Sequence, residues 1–132
     1  MIKILLIEDS QERINQFKEW FPCNIDIAED AKTAIELLKI NTYNLFFFDH
    51  DLGGLVFVDS KEENTGYTVA KYIAENKIKG NAIIHSWNPE GAKNIQNILG
   101  RGHLMPFGTF ICETEVKDNE IVKLNIIPIQ GV

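Results

Sequence analysis

Leu45-Phe46-Phe47-Phe48-Asp49-His50-Asp51-Leu52-Gly53-Gly54 is the stretch that decides how this chain folds. Its four large apolar residues show no polar alternation, the pattern of a strand covered on both faces, as in a parallel sheet flanked by helices. The strand runs straight into three ionisable side chains and stops on two glycines, which free the backbone at that point. In open parallel sheets, ligands bind in the crevice beyond the carboxyl ends of the strands. Side chains alternate along a strand, so Asp49 and Asp51 lean one way and His50 the other for as long as the extended geometry lasts. The glycines predict that it ends near Asp49.

The same design recurs on either side. Ile2 to Ile7 is an aliphatic, β-branched strand that ends on Glu8-Asp9, and Ser10 then caps a helix through about Phe21, where Pro22 stops it. Asn24 to Ala28 reads as a short strand, and Asp30 opens a helix with Ala31, Ala34, Ile35 and Leu38 on its apolar face. After Leu55 to Thr65, an irregular segment expected to be a small hairpin or a flap over the crevice, Gly66 restarts a helix ending near Gly80. Asn81 to Ile84 is a fourth strand and ends on His85-Ser86-Trp87-Asn88. Asn88-Pro89-Glu90 starts a helix that runs to Gly100, and Gly102 to Phe107 supplies a fifth strand and loop. Repeated βα units imply right-handed crossovers and a doubly wound parallel sheet. The tail breaks the alternation: Thr109 to Val116 and Ile121 to Ile127, around a Lys117-Asp118-Asn119-Glu120 turn, predict a β-hairpin.

Composition narrows the function. With 132 residues, 45% of them hydrophobic, residues 1–132 are expected to form one domain: a core over 1–108 and a hairpin extension over 109–132. A net charge of -6 without any Lys/Arg run argues against non-specific duplex DNA binding. Cys23 and Cys112, far apart and outside any CxxC spacing, suggest neither a disulfide framework nor a thiolate zinc site. Ile2 to Ile7 is too short and too closely followed by acids for a signal peptide or a membrane span. A cytoplasmic protein that uses no membrane is expected.

If strands one, three and four are neighbours, their carboxyl ends bring Glu8, Asp9, Asp49, His50, Asp51, His85, Ser86 and Asn88 into one crevice. Carboxylates without thiolates form a hard oxygen site suited to Mg²⁺ or Mn²⁺, while the histidines serve as general acid and base or draw in a softer ion. Trp87, between Ser86 and Asn88, is a candidate for stacking on a base. His103 precedes the fifth strand and is left out of the site; Phe17, Trp20 and Phe21 are read as core.

Ile7-Glu8-Asp9-Ser10, Asn44 to Asp49 with Leu52 beyond it, Ile83-Ile84-His85-Ser86 and Met105-Pro106-Phe107 together resemble the receiver domains of response regulators over residues 1 to 108. The resemblance implies a flavodoxin-like five-stranded sheet of order 2-1-3-4-5 in which the hairpin replaces the last helix. It also implies a metal held by Glu8, Asp9 and Asp49, and Ser86 poised to touch a phosphoryl group. Met105 stands where receivers carry the Lys that pairs with the acylphosphate. Asp49 to Gly54 and His85 to Gly91 are similar to the cyclic-phosphate processing receiver domains, whose members are inferred to act on cyclic or terminal phosphates in bacterial and phage settings. That implies a metal-assisted phosphoesterase acting on a cyclic phosphate of a nucleotide or RNA end. Asp49, His50 and His85 would be catalytic; Asp51, Ser86, Trp87 and Asn88 would hold the small phosphate-containing ligand, with Asp51 alternatively orienting His50 or completing the metal shell. The alternative is a non-catalytic regulatory or ligand-binding module whose phospho-switch lacks its Lys.

Overall fold

The computed structural model describes residues 1–129. Five parallel strands form one sheet in the order β2-β1-β3-β4-β5: β1 (Ile4–Ile7), β2 (Ile25–Ala28), β3 (Leu45–Phe48), β4 (Asn81–Ile84) and β5 (His103–Leu104). Four helices connect or flank them: α1 (Gln11–Trp20), α2 (Ala31–Ile40), α3 (Gly66–Glu75) and α4 (Pro89–Leu99). This is the flavodoxin-like, doubly wound architecture expected from the sequence. Among the described residues no helix is long and apolar enough to cross a membrane.

Strand alternation divides the core in two. Leu5, Ile7, Phe46, Phe48, Ala82 and Ile84 pack beneath α2, α3 and α4. Ile4, Leu6, Leu45, Phe47 and Ile83 face α1 and the C-terminal hairpin, β6 (Phe110–Lys117) and β7 (Glu120–Pro128). The hairpin closes on Asp118 and Asn119, both at positive φ, as a tight two-residue turn requires. Phe110, Cys112 and Ile121 of its inner side are buried, and Thr114 Oγ1 donates to Trp20 O at 2.7 Å. The hairpin thus covers the α1 side of the sheet, in the place of a final helix, as the pattern of the tail predicts.

Helix ends follow local chemistry. Ser10, Asp30, Thr65 and Asn88 accept from backbone N–H groups of the first turns of α1 to α4, and Pro89 opens α4. One boundary differs from the sequence reading: α3 stops at Glu75 rather than near Gly80, because Asn76 caps it and Lys77 turns into the left-handed region. Residues 53–64 form a flap of turns, neither hairpin nor helix, closed by a single bridge between Asp51 and Thr65.

Candidate active site

Register builds the site. Ile7 pairs with Phe48, and Phe48 with Ile84, so the next residues, Glu8, Asp49 and His85, stand side by side past the ends of β1, β3 and β4. Backbone bonds hold the row in line: Asp49 N–H donates to Ile7 O at 2.8 Å and His85 N–H to Phe48 O at 2.9 Å. All three share the parity of Leu6, Phe47 and Ile83, and therefore the α1 side of the sheet. One ligand atom from each lies within 4.8 Å of the others, and all three residues are buried.

Glu8 is the hub of the row. Its Oε2 accepts from the N–H groups of Asp9 and Ser10 at 3.1 Å, while Oε1 faces His85 Nε2 at 2.9 Å and Arg13 Nη1 at 3.6 Å. Burial pushes the Glu8 carboxyl above its ordinary range against the pull of Asp49, the Ser10 amide and Arg13, with the charge of Asp9 adding to the rise. Asp49 is pushed up to about 7, first by burial and then by the charge of Glu8 beside it. Burial holds His85 down at about 4, so its imidazole is neutral. The His85 ring packs on Phe17 at 5.1 Å, and its Nδ1 is buried without a hydrogen-bond partner.

A cleft of about 510 Å³ opens above this row, lined by Glu8, Asp9, Asp49, Asp51, the flap residues 54–57, Arg13, Trp87 and Phe107. Asp9, expected among the metal ligands, stands apart from the buried trio at the rim, where its Oδ2 accepts from Gly54 N–H at 2.6 Å. His85, expected to move protons, is the third member of the buried trio. Trp87 is 61% exposed; its indole N–H donates to Phe107 O at 2.7 Å, and the Arg13 guanidinium lies 4.2 Å over its ring.

His50 corrects the sequence reading most sharply. It continues the parity of Phe48, not of Asp49, so its buried ring turns to the α3–α4 side and does not line the acidic cleft. Gly91 of α4 lies so close that any Cβ there would overlap the imidazole, and a Cβ on Gly66 would overlap Asp49 O. Nδ1 of His50 meets Asp51 Oδ1 at 2.8 Å and Nε2 meets Ser60 Oγ at 2.8 Å.

Asp51 touches the cleft but is occupied: it accepts from Phe57 N–H at 2.6 Å, Val58 N–H at 3.2 Å and Asn88 Nδ2 at 3.0 Å. Burial alone would raise its carboxyl; the bonds from Asn88, His50, Phe57 and Val58 outweigh this and hold it low. Ser86 and Asn88, expected to grip a phosphate, do not line the cleft. Ser86 Oγ accepts from Asn88 N–H at 3.0 Å, and Asn88 Oδ1 caps α4 through Gly91 N–H.

Arg13 escaped the sequence reading. Met105 sits half-buried against the α1-side core, so the cation of the cleft comes from α1. The signal was present, because helical side chains lean toward the helix N-terminus and α1 begins immediately after Glu8-Asp9.

The fold and the acidic row at its carboxyl edge define a receiver-type domain. Solved structures with the same fold include a response regulator from Thermotoga maritima, TrrA in complex with Mg(2+)-BeF. It is 20% identical, with a TM-score of 0.62 over 82% of this chain and 90% of that one. A two-component response regulator from Clostridium difficile is 22% identical, with a TM-score of 0.62 over 80% and 83%. A search of curated proteins finds no match. The profile of the cyclic-phosphate processing receiver domain matches residues 3–101, and the chain belongs to that family.

Proposed function

We propose that the chain is a metal-assisted phosphoesterase that opens a cyclic phosphate on a nucleotide or RNA end. The observation that carries this reading is the row of Glu8, Asp49 and His85, two carboxylates and an imidazole within 4.8 Å of one another, whose carboxylates line a cleft that also holds Arg13 and Trp87 while His85 lies buried behind them. The donor set fits a divalent cation: Asp49 is driven toward its protonated form by burial and by Glu8, and a cation offsets that repulsion. Two oxygens and one nitrogen suit Mn²⁺ at least as well as Mg²⁺. TrrA, whose fold this chain shares, was solved in complex with Mg(2+)-BeF, which supports a divalent ion together with a phosphate-like group as the ligand class.

Bound there, the ion supplies neutralisation of charge developing on the phosphoryl oxygens. The protein does the rest. Arg13 would pair with a phosphate oxygen from the opposite wall, in place of the Lys that Met105 replaces. Trp87, backed by Arg13 and exposed on its other side, would stack on the base, with Leu55, Val56 and Phe57 of the flap closing over it. Asp9, the rim carboxylate outside the buried trio, would accept the proton of the attacking water. His50, Ser86 and Asn88 act in this scheme by shaping the flap and the start of α4.

The test is turnover of a 2′,3′-cyclic nucleotide in the presence of Mg²⁺ or Mn²⁺, read by ³¹P NMR. The expected result is a phosphomonoester product that Asp49→Ala abolishes; an unchanged cyclic substrate alongside intact metal binding would sink the proposal. A phospho-accepting regulator is the second reading, favoured by the position of Asp49 at the end of β3. A phosphoryl adduct on Asp49 after treatment with acetyl phosphate would establish it in place of the first.

A further inference from the structure

The other side of the sheet carries a second chain of polar side chains, of which only Asp51 also touches the acidic cleft. Ser60 Oγ lies 2.8 Å from His50 Nε2, His50 Nδ1 lies 2.8 Å from Asp51 Oδ1, and Asn94 Nδ2 lies 2.9 Å from Ser60 Oγ. Asp51 biases the directions. Its oxygens already accept from the N–H groups of Phe57 and Val58 and from Asn88 Nδ2, which favours the ring tautomer with its N–H at Nδ1; in that tautomer Nε2 accepts from the Ser60 hydroxyl, whose lone pair receives the Asn94 amide. That is the protonation pattern of a serine nucleophile with its base and the carboxylate that orients it.

The surroundings suit the same role. His50 is buried, clamped by Gly91, and cannot swing away from Ser60. Ser60 itself is half-buried and opens into a hollow of about 390 Å³ walled by the flap, Asn94 and the first turn of α4. The α4 N-terminus brings its positive dipole end to this hollow, and Asn94 offers an amide donor beside the nucleophile. The charged residues of this hollow, Asp59 and Glu90, are both acidic, which favours an uncharged substrate within it; Lys61 and Lys71 border a wider hollow of about 910 Å³ that Ser60 and Asn94 also line.

We propose that Ser60, His50 and Asp51 form a nucleophilic site for small uncharged acyl esters, separate from the acidic cleft. Ser60 Oγ attacks the ester carbonyl as its proton passes to His50 Nε2, and Asn94 donates to the developing oxyanion. The carbonyl–alkoxy bond breaks, the leaving alkoxide takes the proton from His50, and an acyl-Ser60 remains. Water repeats the sequence, its proton going to Nε2 and then back to Ser60, so that ester and water become acid and alcohol.

The experiment treats the full chain with a fluorophosphonate probe, which phosphonylates an activated serine with loss of fluoride, and maps the adduct by mass spectrometry. The expected result is one adduct, on the peptide carrying Ser60. It is absent in Ser60→Ala and forms on the order of 10³-fold more slowly in Asp51→Asn. Asn94→Ala, on the surface of α4, should slow labelling at least tenfold while the fold, followed by circular dichroism, is retained; it decides the matter if Asp51→Asn proves unfolded. Labelling of Ser60 no faster than of other exposed serines, or unaffected by Asn94→Ala, would overturn the proposal and leave the chain of bonds as a latch for the flap. Ser60→Ala should leave Mn²⁺ binding at Glu8, Asp49 and His85 intact, so this test fails or succeeds independently of the acidic row.

Discussion

His85 Nε2 lies 2.9 Å from Glu8 Oε1 in a contact where neither side chain reaches solvent. A neutral imidazole so placed gives the buried carboxyl a donor; removing Glu8 leaves His85 without a partner at either ring nitrogen and takes the acceptor from the Asp9 and Ser10 N–H groups. Glu8→Ala is therefore expected to cost about 1–3 kcal/mol in urea denaturation. His85→Phe, which fills the aromatic surround of Phe17 and Phe47 but removes the donor, should cost less than Glu8→Ala. Equal stability of wild type and Glu8→Ala would refute this account of the pair.

Metal binding gives the second prediction. Calorimetric titration with Mn²⁺ should find one site. Asp49→Ala and Glu8→Ala should each weaken it at least 100-fold, and Asp9→Asn, outside the buried trio, by no more than about tenfold. An Asp9 effect as large as that of Asp49 would restore the ligand set expected from the sequence.

The pH dependence follows from two groups that pull in opposite directions. Asp49 has its carboxyl raised from 3.8 to about 7, so the folded protein keeps a proton that the unfolded chain releases, and stability falls as pH rises between those values. His85 is lowered from 6.5 to about 4, so the unfolded chain takes up a proton that the folded protein refuses, and stability falls as pH drops through that window. The two effects largely cancel between pH 4 and 6.5; above that, the cost of ionising Asp49 remains, with buried Glu8 pulling in the same direction. Asp49→Asn should accordingly melt on the order of 5–10 °C above wild type at pH 8 and differ much less at pH 4, with no divalent ion present. Added Mn²⁺ should narrow the gap at pH 8 by stabilising wild type alone. Identical melting curves at pH 8 would show that the carboxylates do not repel as described.

Gly91 makes the fourth. A methyl group there meets the imidazole of His50, which Asp51 and Ser60 hold from both ends. Gly91→Ala gains helix propensity of about 1 kcal/mol but should still be net destabilising by roughly 1–3 kcal/mol in urea denaturation. A stabilised variant would mean that the ring is free to move.

The flap yields the fifth. Phe57 adopts φ 52 while 74% exposed, and Asp51 binds its N–H. Phe57→Gly should relieve about 1 kcal/mol of backbone strain and raise the melting temperature slightly, while weakening nucleotide binding through loss of the flap's apolar edge. Unchanged nucleotide affinity would remove Phe57 from the cleft's function.

The strands, helix caps and the hairpin could be read directly, because each rests on local pattern: β-branched runs, Ser10, Asp30 and Asn88 as caps, and Asp118-Asn119 as a tight turn; the order of the strands, which is non-local, came from the resemblance to receiver domains. The acidic row was legible in part. Glu8, Asp49 and His85 each sit one residue past a buried strand and share a parity, which suffices to group them once register is known. His50 was misplaced because Gly53-Gly54 were read as ending the extended geometry near Asp49, whereas the alternation carries on through His50 and turns its ring away from the cleft. Arg13 was missed because its contribution comes from a helix leaning back over the strand ends. The bonds from His50 to Ser60 and from Asn88 to Val58 O span ten and thirty residues through an irregular flap, and no local pattern announces such contacts.

The parity of Asp49 and His50 has one more consequence. Two consecutive residues of one strand serve opposite sides of a five-stranded wall, so the sheet acts as a partition between two chambers. Inserting or deleting one residue at this strand end would exchange their contents, sending the imidazole toward Glu8 and the carboxylate toward Ser60. The spacing from Phe48 to Asp51 is thus as much a functional element as the side chains it carries, and length variation at this point would change the chemistry more than most substitutions.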